Sequence, residues 1–305
     1  MSTGFINVLK PPGLTSHDVV QALRRILQER RVGHGGTLDP LAAGVLPVAV
    51  GKATRLLEYI QGGSKAYRAE FILGLKTDSQ DLGGRLLARS GCPWLKLEEL
   101  QAAARHFTGT IDQVPPMVSA VHYQGRRLYE LARQGQEVER PPRRVTIHQF
   151  KVLKGWPDGV FYRFLADITC SRGTYVRTLG ADLGDYLGCG ATLAFLLRTR
   201  AGNFTLAKAW TMEEIGAQVA GGRQDFLLPP AAGIVHLPVA VVSEDAVKTV
   251  VSGVAIDAAA CLQPPELEPG ATVRLETAAG TLLALARVIA SKNGICRLKP
   301  DKVML

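Results

Sequence analysis

The chain has 305 residues, of which 47% are apolar, more than one typical domain needs and enough for a sizeable core. Its net charge is +9; residues 236–305 carry seven residues of each sign, so the whole surplus belongs to 1–235. These figures exclude a disordered polar chain, and no apolar run is long enough to span a bilayer as a helix.

The first element is a short strand, Phe5-Ile6-Asn7-Val8-Leu9, running into the turn Lys10-Pro11-Pro12-Gly13. Thr15-Ser16 offers a helix N-cap, with Val19, Val20, Leu23, Ile26 and Leu27 following at helical spacing and Arg24, Arg25, Arg30 and Arg31 opposite. Lys10 has two readings, a contact to phosphate or a brace for its own turn.

Residues 33–47, Gly-His-Gly-Gly-Thr-Leu-Asp-Pro-Leu-Ala-Ala-Gly-Val-Leu-Pro, organise the rest. Four glycines and two prolines predict a loop without a regular strand. Asp39 precedes Pro40 and is biased toward extended backbone on a stiff turn. Gly35, Gly36, Ala42, Ala43 and Gly44 leave room for something bulky, and Leu38, Leu41, Val45 and Leu46 anchor the loop to a core. A lone carboxylate on such a loop suits a catalytic acid, base or nucleophile; the competing reading is an Asp that only satisfies turn amides.

Gly51–Arg55 opens a second amphipathic helix with Leu56, Leu57 and Ile60. Tyr67, Ala69, Phe71, Leu73 and Leu75 then alternate as a half-buried strand, followed by a polar loop over 74–81 and a short helix over 96–107. From 122 to 144, Arg126, Arg127, Arg133, Arg140, Arg143 and Arg144 are interleaved with Tyr123, Tyr129 and Leu131, a pattern for a protruding loop or helix that grips a phosphate backbone, with a plain solvated face as the competing reading. A strand over 160–170 leads through Ser171-Arg172-Gly173-Thr174-Tyr175-Val176-Arg177 into a helix, and strand ends meeting helix starts favour ligands in α/β proteins. Residues 236–305 carry strand-like runs at 271–277, 281–290 and 294–299 separated by glycines, as in a small β-barrel or sandwich. Cys92, Cys170, Cys189, Cys261 and Cys296 are odd in number and unpaired in spacing, which argues against a disulfide framework or zinc site and fits a reducing cytoplasm. Met1–Phe5 lacks the features of a signal peptide.

The stretch from Gly33 to Gly44 resembles the catalytic-aspartate signature of the bacterial TruB-type tRNA pseudouridine synthases, with Asp39 at the position of that family's essential aspartate. Lys10–Ser16 resembles the family's first, structural motif, Tyr67 its active-site tyrosine, and Ser171–Gly184 the motif that supplies Tyr175 and Arg177. Leu193–Arg200 resembles its leucine–arginine segment and implies that Leu196 lines the substrate; Leu197 stands where the family commonly has a first arginine, which leaves the role of Arg198 open.

The resemblance implies an α/β fold: a mixed-sheet catalytic domain over 1–235 and a small β-rich PUA-like RNA-binding domain over 236–305. It implies isomerisation of uridine 55 in the T-loop of tRNA to pseudouridine, with no cofactor, no metal and a monomeric enzyme. Asp39 would attack C1′ or take a proton at C2′. Arg177 would pair with it, either only when RNA closes the pocket or already in the free chain. Tyr67 and Tyr175 would flank the uracil, Tyr67 receiving the C5 proton, and His34 would stack where the base has left. Lys10, Arg126, Arg127, Arg143 and Arg144 complete the expected RNA contacts. Two alternatives stand beside this: a non-catalytic RNA-folding helper, and a pseudouridine synthase acting on rRNA.

Overall fold

The computed structural model describes residues 3–60, 63–92, 94–119, 122–123, 125–263, 268–290 and 296–305. Of the basic segment, Ala120, Val121 and Gln124 lie outside the described residues, as do the side chains of His122, Arg127, Tyr129 and Arg133.

In chain order come β1 (Gly4–Lys10), α1 (Ser16–Leu27), β2 (Val32–His34), β3 (Ala43–Val50), a 3-10 turn (Gly51–Leu56) and α2 (Leu57–Ile60). Next are β4 (Lys65–Leu73), β5 (Leu75–Thr77), β6 (Leu86–Arg89), α3 (Leu97–His106), β7 (Gly109–Gln113), β8 (His122–Tyr123), β9 (Arg126–Arg127) and α4 (Leu128–Arg133). β10 (Arg143–Asp158), β11 (Phe161–Cys170), α5 (Val176–Tyr186), β12 (Ala191–Ala201), β13 (Phe204–Thr205), α6 (Met212–Ala220) and β14 (Leu227–Leu228) complete the larger part. The C-terminal part adds β15 (Val239–Val242), α7 (Glu244–Val251), β16 (Ile256–Asp257), β17 (Cys261–Gln263), β18 (Thr272–Glu276), β19 (Leu282–Ala290) and β20 (Cys296–Val303).

The large sheet runs β14-β1-β3-β12-β4-β11-β10-β7, with β13 on β12 and β2 on β3. Only β3 and β12 pair in parallel within it. The period-two pattern of β4 does what it predicts: Tyr67, Ala69 and Phe71 are buried while Arg68 reaches out to Asp167 on β11 through two hydrogen bonds of 2.8 and 2.9 Å. Phe71 stacks on Phe164 of β11 with ring centroids 4.9 Å apart. α1 buries Val19, Val20 and Leu23 against Ile6, Val8 and Leu46, its start fixed by a capping box between Thr15 and Asp18.

The loop expected over 33–47 is shorter than predicted, because β3 already starts at Ala43 and contains both Gly44 and Pro47. Pro47 falls between the two partners of one edge of β3, where β2 pairs from Val48 onward and β12 only at Ala43 and Gly44, so its missing N–H interrupts no ladder. Gly44, at φ +114°, makes room for the chain itself: a Cβ there would lie 2.3 Å from the Arg198 carbonyl oxygen. The predicted helix after Gly51 is mostly 3-10, and the polar loop after Gly74 folds into the β5–β6 hairpin.

The C-terminal sheet, ordered β16-β20-β19-β18-β15-β17, closes its own core around Val242, Val273, Leu275 and Leu298 with α7 against it, a helix the glycine-punctuated strand pattern did not announce. Leu282, Leu285 and Met304 pack on Phe5, Leu56 and Ile234 of the larger part, so the two are joined by apolar burial. Arg55 Nη1 adds a hydrogen bond of 2.9 Å to the Val303 carbonyl.

On α5, burial and the neighbouring Asp185 push the Asp182 carboxyl up from 3.8 to about 6. The folded chain therefore holds a proton that the unfolded chain has released, and stability falls as pH rises from about 4 to about 6. Asp182→Asn should raise the melting temperature above pH 6 and leave it unchanged below pH 4, as read by circular dichroism across that range.

Candidate active site

Asp39 sits on a loop with little freedom. Ser16 Oγ donates to the Leu38 carbonyl at 3.1 Å and accepts from the Leu38 N–H at 2.9 Å. Gly13 N–H donates to the Pro40 carbonyl at 2.8 Å, and the Ala42 N–H to Asp39 O at 3.1 Å. Lys10 is fully buried, its Nζ donating to the carbonyls of Pro40 (3.2 Å), Pro11 (2.8 Å) and Leu14 (2.5 Å). Of its two readings the structure has the brace, because an ammonium enclosed by three carbonyls presents nothing to a phosphate. Burial pushes its pKa down to about 8, against the raising effect of Asp39. Leu38, Val45 and Leu46 anchor the loop as expected, whereas Leu41 is exposed.

Arg198 completes the cradle, and its role is a structural one. Fully buried, it donates from Nε to the Val45 carbonyl (2.7 Å), from Nη1 to Thr37 (3.2 Å) and from Nη2 to Gly36 (3.0 Å). It lies directly across the strand pair from Tyr67, with Leu196 across from Ala69. Tyr67 and Leu196 are buried beside Leu38 and Ala42, forming a floor under the Asp39 loop and not the wall of an open pocket. Burial raises the Tyr67 pKa, with the Arg198 charge opposing.

Arg177, in the first turn of α5, points under the loop and meets Asp39. Nη2 donates to Asp39 Oδ1 at 3.3 Å, and Nε lies 2.9 Å from Oδ2, an ion-pair contact whose N–H is not aligned for a hydrogen bond. The same guanidinium donates from Nη1 to the Ser79 carbonyl (2.8 Å) and from Nη2 to Val118 (3.0 Å), with Asp81 Oδ2 3.6 Å from Nη1. The Arg177 side chain is 3% exposed and that of Asp39 36%, so the cation is enclosed while the carboxylate looks into solvent. Tyr175, half-buried, caps α5 and is locked by Gln113, which accepts from its N–H at 2.7 Å and donates to its carbonyl at 3.1 Å.

Asp39 opens into a cleft of about 1380 Å³, whose other walls include His34, Thr37, Gln80, Met117 and Arg140. That is larger than a small-molecule pocket and wide enough for a polymer. His34 is half-buried, its Nδ1 enclosed without a partner and its pKa lowered by burial and by Arg198, which keeps the ring neutral. Neither Tyr175 nor Leu196 is among the lining residues. The basic segment is not one unit: Arg126, exposed on β9, bonds to Gln134, Arg140 donates to the Pro115 carbonyl beside the cleft, and Arg143 and Arg144 begin β10. The last two line a separate cleft that shares His34 and Thr37 with the first.

Several site residues were not singled out from the sequence. Ser16 reads as part of an N-cap and of the Lys10–Ser16 motif, and Asp81 as part of a polar loop. Gln113, buried and bonded across 62 residues to Tyr175, carries no sequence signal at all.

The Asp39–Arg177 pair is part of the folded chain, so removing the arginine acts on its stability. Arg177→Met should destabilise the protein by about 3 kcal/mol, the lower end for a broken buried pair because Asp39 still reaches water. Chemical denaturation reads this directly; an unchanged midpoint would mean that the pair carries no weight in the fold.

The family model described as "TruB family pseudouridylate synthase (N terminal domain)" matches residues 24–176, and "tRNA pseudouridylate synthase B C-terminal domain" matches 177–229. The chain is 69% identical over 304 residues to a protein of Moorella thermoacetica named tRNA pseudouridine synthase B, covering 100% of both chains. A protein of the same name from Symbiobacterium thermophilum is 53% identical over 83% of this chain and 82% of its own. Among solved structures, an H/ACA RNP bound to a substrate RNA containing 2′-deoxyuridine matches at 26% identity and a TM-score of 0.75, covering 99% of this chain and 85% of that one. A Cbf5-Nop10-Gar1 complex matches at 28% identity and a TM-score of 0.74, over the same shares. The matching family models and the full-length similarity agree: this chain belongs to the TruB family of pseudouridylate synthases.

Proposed function

We propose that the Asp39 cleft isomerises a uridine of tRNA, uridine 55 in the T-loop, to pseudouridine. The observation that carries this reading is the Asp39–Arg177 pair: one carboxylate at the floor of a polymer-sized cleft, held at 2.9 Å by a guanidinium that is itself fixed on two carbonyls. The names of the relatives supply the tRNA substrate.

The reaction breaks the C1′–N1 bond, turns the uracil and joins C1′ to C5; the proton lost from C5 is balanced by one gained at N1. Asp39 attacks C1′ or removes the C2′ proton, and in either case it must be ionised. A fixed guanidinium favours that form where the bound base excludes water. A looped-in uridine reaches Asp39 only after leaving its stack, and the neutral ring of His34 on the cleft wall suits the vacated place. Tyr67 supplies a ring face under the loop. Burial keeps its phenol protonated in the free chain, the wrong state for receiving the C5 proton. The C-terminal β-rich domain, with its balanced charge, acts as a PUA-like RNA-binding module of weak electrostatic pull, its boundary falling near 235. The protein works in the cytoplasm, where tRNA is its partner.

Asp39→Asn keeps the shape and removes the charge. Tritium release from 5-tritiated-uridine tRNA should fall below detection while tRNA affinity changes less than threefold. Residual turnover in Asp39→Asn above about a hundredth of the unmutated protein's would remove Asp39 from the chemistry, and tRNA binding by the unmutated protein with no tritium release would favour the folding-helper alternative.

A further inference from the structure

The larger cleft has a smaller neighbour of about 510 Å³, and the wall between them is His34 and Thr37, which line both. Four cations converge on this second cleft, Lys65, Arg143, Arg144 and Arg172, and no carboxylate lines it. They come from three adjacent strands that meet in register: Lys65 opposes Cys170, and Cys170 opposes Ile147. Arg172 follows the end of β11 by two residues, and Arg143 and Arg144 begin β10, so one end of these strands gathers the charges.

These charges are poorly compensated from within. Lys65 is half-buried, and its pKa is lowered first by burial and then by Arg198, with Arg172 acting in the same direction and Cys170 opposing. Arg144 has Asp112 at 3.7 Å, but both ends are well exposed and such a pair contributes little. A cluster of like charges around a partly enclosed ammonium is stabilised by a bound anion. Gly36 and Gly173 line the same space and leave it open.

The position says which anion. Lys65 and Tyr67 stand two residues apart on one face of β4, about 7 Å along the strand. His34 and Thr37 line both this cleft and the one that holds Asp39, so RNA lying in the basic cleft is separated from Asp39 by one shared wall.

We propose that Lys65, Arg143, Arg144 and Arg172 form a phosphodiester subsite that holds the RNA backbone beside the target nucleotide while its base crosses the wall into the Asp39 cleft. This rests on the reading of that cleft as a uridine site. It differs from a general basic surface in requiring one particular linkage.

The test replaces single phosphates of a tRNA T-arm hairpin by neutral methylphosphonates, one linkage at a time around the target uridine. For the wild-type protein, neutralising one linkage should weaken binding about tenfold and the others less than threefold. Arg172→Gln and Lys65→Met should each bind the unmodified hairpin more weakly, with the salt slope reduced by about one. At the sensitive linkage each should lose less than threefold on neutralisation. Arg172 is exposed, so Arg172→Gln decides the matter if Lys65→Met melts early. Equal losses at every linkage, or a sensitive linkage that stays tenfold sensitive in Arg172→Gln, would overturn the subsite. The two readings separate in the same experiment: linkage-specific binding by a wild-type protein that forms no pseudouridine supports the subsite and overturns the role of Asp39.

Discussion

The structure depends on a carboxylate being held in place by an arginine that cannot move. Arg177 reaches Asp39, and its Nη1 and Nη2 also donate to the carbonyls of Ser79 and Val118, with Asp81 nearby. Three segments far apart in sequence thus converge on one guanidinium. An exposed pair of this kind would be worth little, because two flexible side chains would have to be ordered for it. Here the ordering is done by the fold, so the contact with Asp39 carries little entropic cost. A site arranged before substrate arrives is the condition under which fixed charges accelerate a reaction most.

The same logic explains why the loop is surrounded by buried polar groups. Lys10, Ser16 and Arg198 are each largely or wholly removed from water, and each is satisfied by backbone carbonyls or amides of the Asp39 loop. A loop rich in glycine leaves its carbonyls without ladder partners, and buried carbonyls need donors. Three side chains from β1, from α1 and from β12 supply them. The result couples the loop to three elements at once, and Gly44 permits this by letting β12 approach its backbone closely.

Much of this was legible in the sequence, and what was not has physical reasons. The Gly33–Gly44 signature located Asp39, and the strand-to-helix switch at 171–177 located Arg177, because both motifs are short and local. The alternation in β4 and the capping of α1 were readable for the same reason. The extent of the loop was misjudged, since Pro47 in a strand is tolerated only where two partner strands leave a gap, which is a tertiary fact. Sequence leaves Lys10 between a phosphate contact and a brace and leaves Arg198 without a role; their burial against loop carbonyls makes both braces. Gln113 could not be found at all, because its partner is 62 residues away. The basic segment looked continuous in sequence, yet the sheet divides it, leaving Arg126 on a hairpin and carrying Arg143 and Arg144 to the edge beside Lys65.

The most direct test of the account is to map where the purified protein acts. A tRNA transcript incubated with the wild-type chain, then treated with carbodiimide and read by reverse transcription, should show a single stop that reports pseudouridine at the T-loop uridine and nowhere else. A transcript left unmodified, or stops at other uridines with the T-loop uridine intact, would contradict it.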